Sequence, residues 1–204
     1  MNSVVPLLGL VLFAYLLGAV PFGLLVGKLF FQTDVRRIGS GNIGATNVAR
    51  AAGKKAAIAV LVLDTLKSFL PAWLAKVWLV SGAADPAAMA WWPAAIGFAA
   101  FAGHIFPVYL GFKGGKGVAT ALGVLFAVVP WIAVAGLVTY AVVWGTTRVS
   151  SLGSLSAVAL TTILSLFLAA YPAYTVVVLA MMLLILVRHA GNIRRLVQRE
   201  ESKV

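Results

Sequence analysis

Long apolar segments separated by short polar ones make up most of the chain. The apolar segments cover about Val4 to Phe31, Ala56 to Val80, Met89 to Leu110 and Val118 to Val187. The last segment is much longer than the others and is interrupted only weakly, near Pro130, at 146–151 and at 171–172. Because about 20 apolar residues allow a helix to cross the hydrocarbon core of a bilayer, this pattern predicts an all-α polytopic membrane protein.

The composition supports the same class of protein. Hydrophobic residues make up 62% of the chain and charged residues only 10%, whereas a soluble domain has roughly 25% charged residues. Such a chain cannot cover a globule of this size with polar surface, so we predict a single integral membrane domain over residues 1–204. The chain has no cysteine, which excludes disulfides, thiolate nucleophiles and cysteine-ligated metals.

The basic residues are distributed unevenly and predict the orientation. Lys and Arg outnumber Asp and Glu by 16 to 5, and most of them lie in 32–55, 111–117 and 188–204. The short segments 81–88 and 171–173 contain no Lys or Arg. The positive-inside rule then places the N-terminus outside and the C-terminus in the cytoplasm, with an odd number of spans. The excess of positive charge suits membrane lipids with anionic head groups, and nucleic acid is not an expected partner because apolar segments interrupt every basic cluster.

Arg148 distinguishes five spans from seven. If 118–147 forms one long span, Arg148 lies outside and the protein has five transmembrane helices. If two short spans bend near Pro130, Arg148 lies in the cytoplasm and there are seven. We favour seven, with both short spans tilted or lined by protein because of their length.

The first polar cluster, 39–47, reads Gly-Ser-Gly-Asn-Ile-Gly-Ala-Thr-Asn and is followed by Arg50. Its glycines allow backbone N–H groups to turn toward an anion. The candidate side chains in this segment are Ser40, Thr46, Asn47 and Arg50. The alternative interpretation is a flexible linker.

The second cluster, 111–117, combines glycines with two lysines. Gly114, Gly115 and Gly117, together with Lys113 and Lys116, predict a phosphate cradle, to which the start of the following helix adds its positive dipole end. We expect Gly115 to need a positive φ. The segment is not the P-loop of nucleotide hydrolases, since Gly117 stands where Ser or Thr would bind magnesium. A basic juxtamembrane turn is the alternative.

The third cluster lies at the mouth of the last span. On a helix, His189 and Asn192 share one face, and a basic amphipathic helix resting on the membrane is the alternative. Asp64 and Lys67 lie inside the second span, three residues apart. Ions inside a membrane are costly and are usually paired or functional, so a structural pair and a substrate contact both remain open.

Several classes of enzyme lack their signatures in this chain. His104 is not followed by the aspartate of the His-x4-Asp acyltransferases, and no Gly-x-Ser-x-Gly elbow is present. The few histidines and acids predict no metal site and no cofactor. Two functions other than catalysis are alternatives: an anion or phosphate-ester transporter, and a non-catalytic scaffold. A transporter, however, would place polar residues deep in several spans.

Residues 39–47, 103–120 and 188–196 resemble the three signature regions of the PlsY family. These are bacterial integral-membrane glycerol-3-phosphate acyltransferases that depend on acyl phosphate. Asp64-x-x-Lys67 resembles a further family element, although Ser68 stands where glycine is more usual. The resemblance implies seven spans in the bacterial inner membrane, with a cytoplasmic active site. It also implies the first step of phospholipid biosynthesis: acyl transfer from acyl phosphate to the sn-1 hydroxyl of glycerol-3-phosphate, giving lysophosphatidic acid and phosphate without coenzyme A or metal.

The resemblance also implies roles for individual residues. The implied catalytic residues are His189, Asn192 and Ser40. The implied substrate-binding residues are Thr46, Asn47, Arg50, Asp64, Lys67, Lys113, Gly114, Gly115, Lys116 and Gly117. Glu201 is implied as a structural acid. Whether His189 acts as a general base or as a binding residue remains open.

Overall fold

A computed structural model of the protein describes residues 4–81 and 85–203, in which the regular elements are all helical. The helices are α1 (Val4–Ala19), α2 (Phe22–Phe31), α3 (Ala45–Ser81), α4 (Pro86–Ile105), α5 (Val118–Val128), α6 (Pro130–Thr147), α7 (Ser150–Leu168), α8 (Pro172–Arg188) and α9 (Ala190–Val197). Single turns of 3₁₀ helix lie at Val35–Arg37 and Val108–Leu110.

Four to six of these elements can span a membrane. Within the described residues, α3, α4, α6 and α7 are each long and apolar enough to do so, and α1–α2 and α8–α9 qualify as bent pairs. The bends are 42° and 61°. The first falls at Pro21, which has no backbone N–H to continue the helix. The all-α polytopic class is therefore confirmed, while the number seven and the orientation stay predictions.

Residues 118–147 do not form one straight span. The helix is interrupted at Val129 (φ −141°, ψ 68°), directly before Pro130 begins the next helix. α5 starts beside the middle of α3, where Ser68 Oγ donates to the Thr120 carbonyl (2.8 Å). Farther along, Lys76 Nζ donates to the Ala127 carbonyl (3.2 Å). α5 is short because it begins inside the protein, as expected for a protein-lined segment.

α3 begins within the polar stretch that the linker interpretation assigned to a loop. It includes Thr46, Asn47 and Arg50, and it is kinked at Gly53, where φ is 82°. These side chains therefore project from a helix, and the linker interpretation is wrong for them.

The core lies between α3, α4, α5 and α8 and includes Phe101, Val124, Tyr174 and Ile185. α1 packs closely on α4, because a Cβ at Gly18 would overlap the Ala100 backbone. Large apolar side chains such as Trp131, which is 86% exposed, cover the outside. In a protein of this composition, that outer surface faces lipid.

Candidate active site

One cavity of about 560 Å³ joins the three polar clusters. Its polar end is lined by Ser40, Asn47, Arg50, Lys116, His189 and Asn192, among others. Apolar side chains line the rest, including Leu122, Leu125, Leu137, Val158, Val178 and Met181. The structure thus brings together residues that are more than 150 positions apart in the sequence (40 and 192).

Asn47 holds the first polar loop in place. Its Nδ2 donates to the carbonyls of Val35 (2.7 Å) and Asn42 (2.9 Å). Its Oδ1 accepts from the Ser40 backbone N–H (3.0 Å). Gly39 has a φ of 56°, and a Cβ there would press on Asn47 Oδ1. Asn47 borders the cavity, but these bonds favour a positioning role over the predicted substrate contact.

Arg50 presents its guanidinium to the polar end of the cavity. It donates to Ser202 Oγ (3.0 Å) on the C-terminal tail, and it has no acidic partner among the described residues. Its neighbour Thr46 shares a hydrogen bond with Ser150 Oγ (2.8 Å), which joins α3 to α7. Arg50 is therefore available to bind an anion.

The glycine loop differs from the predicted cradle. The positive φ values lie at Gly111 (56°), Phe112 (64°) and Gly117 (88°), so the expectation for Gly115 is wrong. Gly115 N–H donates to the His104 carbonyl (3.1 Å), and a Cβ at this position would overlap the His104 ring. Close packing on α4 is thus the reason for glycine at 115. Neither Gly114 nor Gly115 borders the cavity, although Gly117 does.

Lys113 and Lys116 point in different directions. Lys113 is exposed and lies outside the cavity lining, so the structure does not bring it to the site. Lys116 lines the cavity, and its Nζ donates to Asn192 Oδ1 (2.5 Å). Burial, helped by the charges of Arg195, Arg50 and Arg188, lowers the pKa of Lys116 to about 8.

His189 lies at the bend between α8 and α9. It is only 2% exposed, and its Nδ1 donates to the Ile185 carbonyl (2.9 Å). In the neutral ring this bond puts the proton on Nδ1 and leaves the Nε2 lone pair free. His189 borders the cavity, so the ring can accept a hydrogen bond or a proton there.

Glu201 ties the C-terminal tail to the site. It accepts hydrogen bonds from Ser151 (2.8 Å), Asn192 (2.5 Å) and Arg195 (2.6 Å). Burial raises the pKa of this carboxyl, but these hydrogen bonds outweigh burial and lower it overall. Asn192 therefore bridges Glu201 and Lys116, an arrangement that supports the predicted structural role of Glu201.

Asp64 and Lys67 form a buried ion pair, with Nζ–Oδ1 2.8 Å. Lys67 also donates to the Val20 carbonyl (2.9 Å) and to His104 Nδ1 (3.0 Å). Two of the three donors of the ammonium are used in these hydrogen bonds, and Asp64 is its counter-ion. Asp64 borders the cavity, but the geometry of Lys67 favours the structural pair over a substrate contact.

Sequence reasoning missed four side chains that shape this site. Arg188 donates to the carbonyls of Gly114 (2.6 Å) and Gly115 (3.1 Å) and so anchors the glycine loop to α8. The others are His104, Ser151 and Ser202. Arg188 could have been identified from the sequence, because it directly precedes His189 in a motif that was already recognised. His104 also lies in a recognised region, 103–120, whereas the contacts of Ser151 and Ser202 depend on tertiary structure.

We expect Gly115→Ala to lower kcat/KM roughly 100-fold, because the added methyl group displaces the loop that carries Lys116. The matched control is Gly145→Ala, since a Cβ at 145 meets no atom within 4 Å. Steady-state kinetics on purified variants with equal melting temperatures checks this. Equal activity of the two variants would contradict the packing account.

We expect kcat/KM for glycerol-3-phosphate, the acceptor that the resemblance implies, to fall as the pH rises through about 8, the pKa of Lys116. The lysine is charged below this pKa and neutral above it, so the attraction for phosphate is lost on the alkaline side. Lys116→Arg keeps its charge and should remove this alkaline limb. The same limb in the arginine variant would exclude Lys116 as its source.

Comparison with known proteins identifies the family. The family model described as glycerol-3-phosphate acyltransferase matches residues 8–199. The chain belongs to the glycerol-3-phosphate acyltransferase family. The glycerol-3-phosphate acyltransferase of Anaeromyxobacter dehalogenans (strain 2CP-C) is 53% identical, over 97% of this chain and 98% of the relative. That of Myxococcus xanthus (strain DK1622) is 47% identical, over 95% and 97%.

Solved structures agree with this assignment. A crystal structure of PlsY, an integral membrane glycerol 3-phosphate acyltransferase in its glycerol 3-phosphate form, has a TM-score of 0.88 and 40% identity, covering 98% of this chain and 96% of its own. The lysophosphatidic acid form of PlsY gives 0.84 and 38%, covering 97% and 95%. The predictions of this family, of an integral membrane enzyme and of acyl transfer to glycerol-3-phosphate are confirmed.

Proposed function

We propose that this acyltransferase takes its acyl group from acyl phosphate and attaches it to the sn-1 hydroxyl of glycerol-3-phosphate. The products are lysophosphatidic acid and phosphate, in the first step of phospholipid biosynthesis. One observation carries the proposal: a single cavity joins a cationic polar end to an apolar body. A donor with a fatty chain and a phosphate head matches both parts of that cavity.

The apolar body holds the acyl chain and brings the carbonyl carbon to the polar end. The hydroxyl oxygen of glycerol-3-phosphate attacks this carbon, and the bond from the carbon to the phosphate oxygen breaks. The hydroxyl proton goes either to His189 Nε2 or to an oxygen of the departing phosphate. Holding both reactants in one cavity supplies much of the rate enhancement.

Arg50 and Lys116 bind the phosphate groups. Both are cations that border the cavity, Arg50 from α3 and Lys116 from the glycine loop. Positive charge stabilises the phosphate as it leaves and the oxyanion as it forms. The solved PlsY structures, described as glycerol 3-phosphate and lysophosphatidic acid forms, support such a site here.

His189 and Ser40 act on the reacting groups, and Asn192 positions Lys116. His189 Nε2 accepts the hydrogen bond of the substrate hydroxyl. Asn192 fixes Lys116 through the bond described above. The Ser40 side chain borders the cavity and donates to a substrate oxygen. The proposed reaction uses no metal and no cofactor, because phosphate is a good leaving group once cations neutralise its charge.

The proposed topology has seven spans in the bacterial inner membrane, with the N-terminus outside and the active site and C-terminus in the cytoplasm. One of the seven proposed spans is α5, which is too short to be recognised as a span from its length alone. Residues 1–204 then form one integral membrane domain. The location of the basic residues and the convergence of Gly117 and Arg148 on one cavity support this arrangement.

We expect single cysteines in this cysteine-free chain to report the topology. A cysteine replacing the exposed Arg148 should be labelled from the cytoplasmic side only, and one replacing the exposed Asp85 from outside only. Intact cells treated with membrane-impermeant maleimide provide the measurement. Labelling of position 148 from outside would restore the five-span topology.

The proposed reaction is tested with the purified protein in liposomes. Acyl phosphate and glycerol-3-phosphate are supplied together, and lysophosphatidic acid is measured by mass spectrometry. We expect product with glycerol-3-phosphate and none with glycerol, which lacks the phosphate that the cations bind. Equal acylation of both acceptors would contradict a site that depends on phosphate.

A further inference from the structure

His104 is a buried histidine for which the proposed reaction has no role. It lies in the last turn of α4, is 4% exposed and borders the cavity together with Lys116. Histidines are rarely buried this deeply without a hydrogen bond for each ring nitrogen. Each nitrogen therefore needs a partner.

Nδ1 has a partner, and that partner fixes the tautomer. Lys67 Nζ lies 3.0 Å from His104 Nδ1 and 2.8 Å from Asp64 Oδ1, as the ammonium of an ion pair. An ammonium can only donate, so Nδ1 is the acceptor. The proton of the neutral ring is then on Nε2.

Nε2–H makes no hydrogen bond among the described residues, yet Nε2 is not one of their fully buried unpartnered atoms, so it is open to the cavity that His104 borders. It packs against Gly115, where a Cβ would overlap it, so a side chain at 115 would cover this donor. The charged groups near the ring are Lys67, Asp64 (Oδ1 3.8 Å from Nδ1) and Arg188; Lys67 neutralises the carboxylate, so Arg188 leaves a net positive charge that favours an anion. Because Nε2–H makes no hydrogen bond within the described part of the protein, an acceptor entering the cavity can gain one there.

We propose that His104 donates a hydrogen bond from Nε2 to a phosphoryl oxygen of a substrate in the cavity. The Asp64–Lys67 pair positions it by holding the donor tautomer. This inference rests on the proposed function, in which both substrates carry phosphoryl groups, and either phosphate can supply the oxygen. The role of the ion pair is then to orient His104 and not to contact substrate.

Three substitutions at His104 distinguish loss of the Nε2–H donor from loss of the volume of the ring. His104→Asn keeps an amide near the position of Nδ1 but has no group at the ε position. His104→Gln places an amide donor at the ε position. His104→Leu fills space without any donor and serves if the asparagine variant does not fold, as judged by its melting temperature.

Kinetics of these variants test the proposal. We expect His104→Asn and His104→Leu to raise one KM roughly 10- to 100-fold, as for loss of a hydrogen bond to a charged group, and His104→Gln to recover most of that loss. A raised KM for glycerol-3-phosphate assigns the bond to the acceptor, and a raised KM for acyl phosphate assigns it to the donor. Unchanged KM values, a fall in kcat alone, or a glutamine variant no better than asparagine would overturn the proposal.

Direct binding separates this proposal from the proposed function. Calorimetry with inorganic phosphate on the purified parent and on His104→Asn needs no turnover. If the parent makes no lysophosphatidic acid, the proposed function fails, while weaker phosphate binding by the variant still supports the His104 donor. Equal binding by parent and variant would overturn the donor even in an active enzyme.

Discussion

Replacing His189 with alanine lowers kcat by about 10²–10⁴, the usual contribution of a group that assists proton transfer. The ring is fixed by the bond from Nδ1 to the Ile185 carbonyl (2.9 Å), which leaves Nε2 free for the substrate hydroxyl. Alanine removes that acceptor. Steady-state kinetics with both substrates saturating measures the loss.

His189→Gln distinguishes the two possible roles of the ring. If His189 takes the proton, the profile of kcat against pH has a limb that disappears in the glutamine variant. If the departing phosphate takes the proton, the profile is unchanged and the loss is smaller. Near-normal kcat in both His189 variants would remove the residue from the mechanism.

Replacing Arg50 with alanine raises the KM for glycerol-3-phosphate roughly 10- to 100-fold, since a charge-assisted bond to phosphate contributes about 1.5–3 kcal/mol. The loss appears in KM because the contact already exists in the bound ground state. In the free protein, Arg50 donates to the neutral hydroxyl of Ser202 (3.0 Å), which a phosphate can replace.

Arg37→Ala is the matched control for Arg50. Arg37 carries the same charge and lies in the 3₁₀ turn before α3, but it is exposed and outside the cavity lining. Its KM for glycerol-3-phosphate should equal that of the parent. An equal rise in both variants would assign the effect to the overall positive charge of the surface.

Much of the helical pattern could be predicted from the sequence, because lipid exposure requires continuous apolar segments. The break at Pro21 and the division of 118–147 at Pro130 follow from a residue that has no backbone N–H. The start of α3 was missed. Residues 45–55 are too polar to read as a membrane helix, although side chains that face a cavity need not be apolar.

The composition of the site was predictable to a similar extent. Short-range motifs indicated His189, Arg50 and Lys116, and the basic pattern predicted that their loops share one face. The sequence could not show that Lys113 points away from the cavity, or that Gly115 is required by the ring of His104. Both depend on contacts between α4 and the glycine loop that spacing does not encode.

The C-terminal tail is a similar case. Ser202 contacts Arg50, and Glu201 joins Ser151 to Asn192. The first of these contacts joins residues 152 positions apart. Hydrophobic periodicity carries no information about such pairs, because the tail has no apolar pattern.

The central claim is that acyl phosphate is the donor at a site made of protein cations. The most direct measurement gives the purified enzyme glycerol-3-phosphate, a chelator and either acyl phosphate or acyl-coenzyme A of the same chain length. The account predicts lysophosphatidic acid from acyl phosphate only, with one phosphate released per product formed. Product from acyl-coenzyme A at an equal rate, or activity abolished by the chelator and restored by a divalent cation, would contradict it.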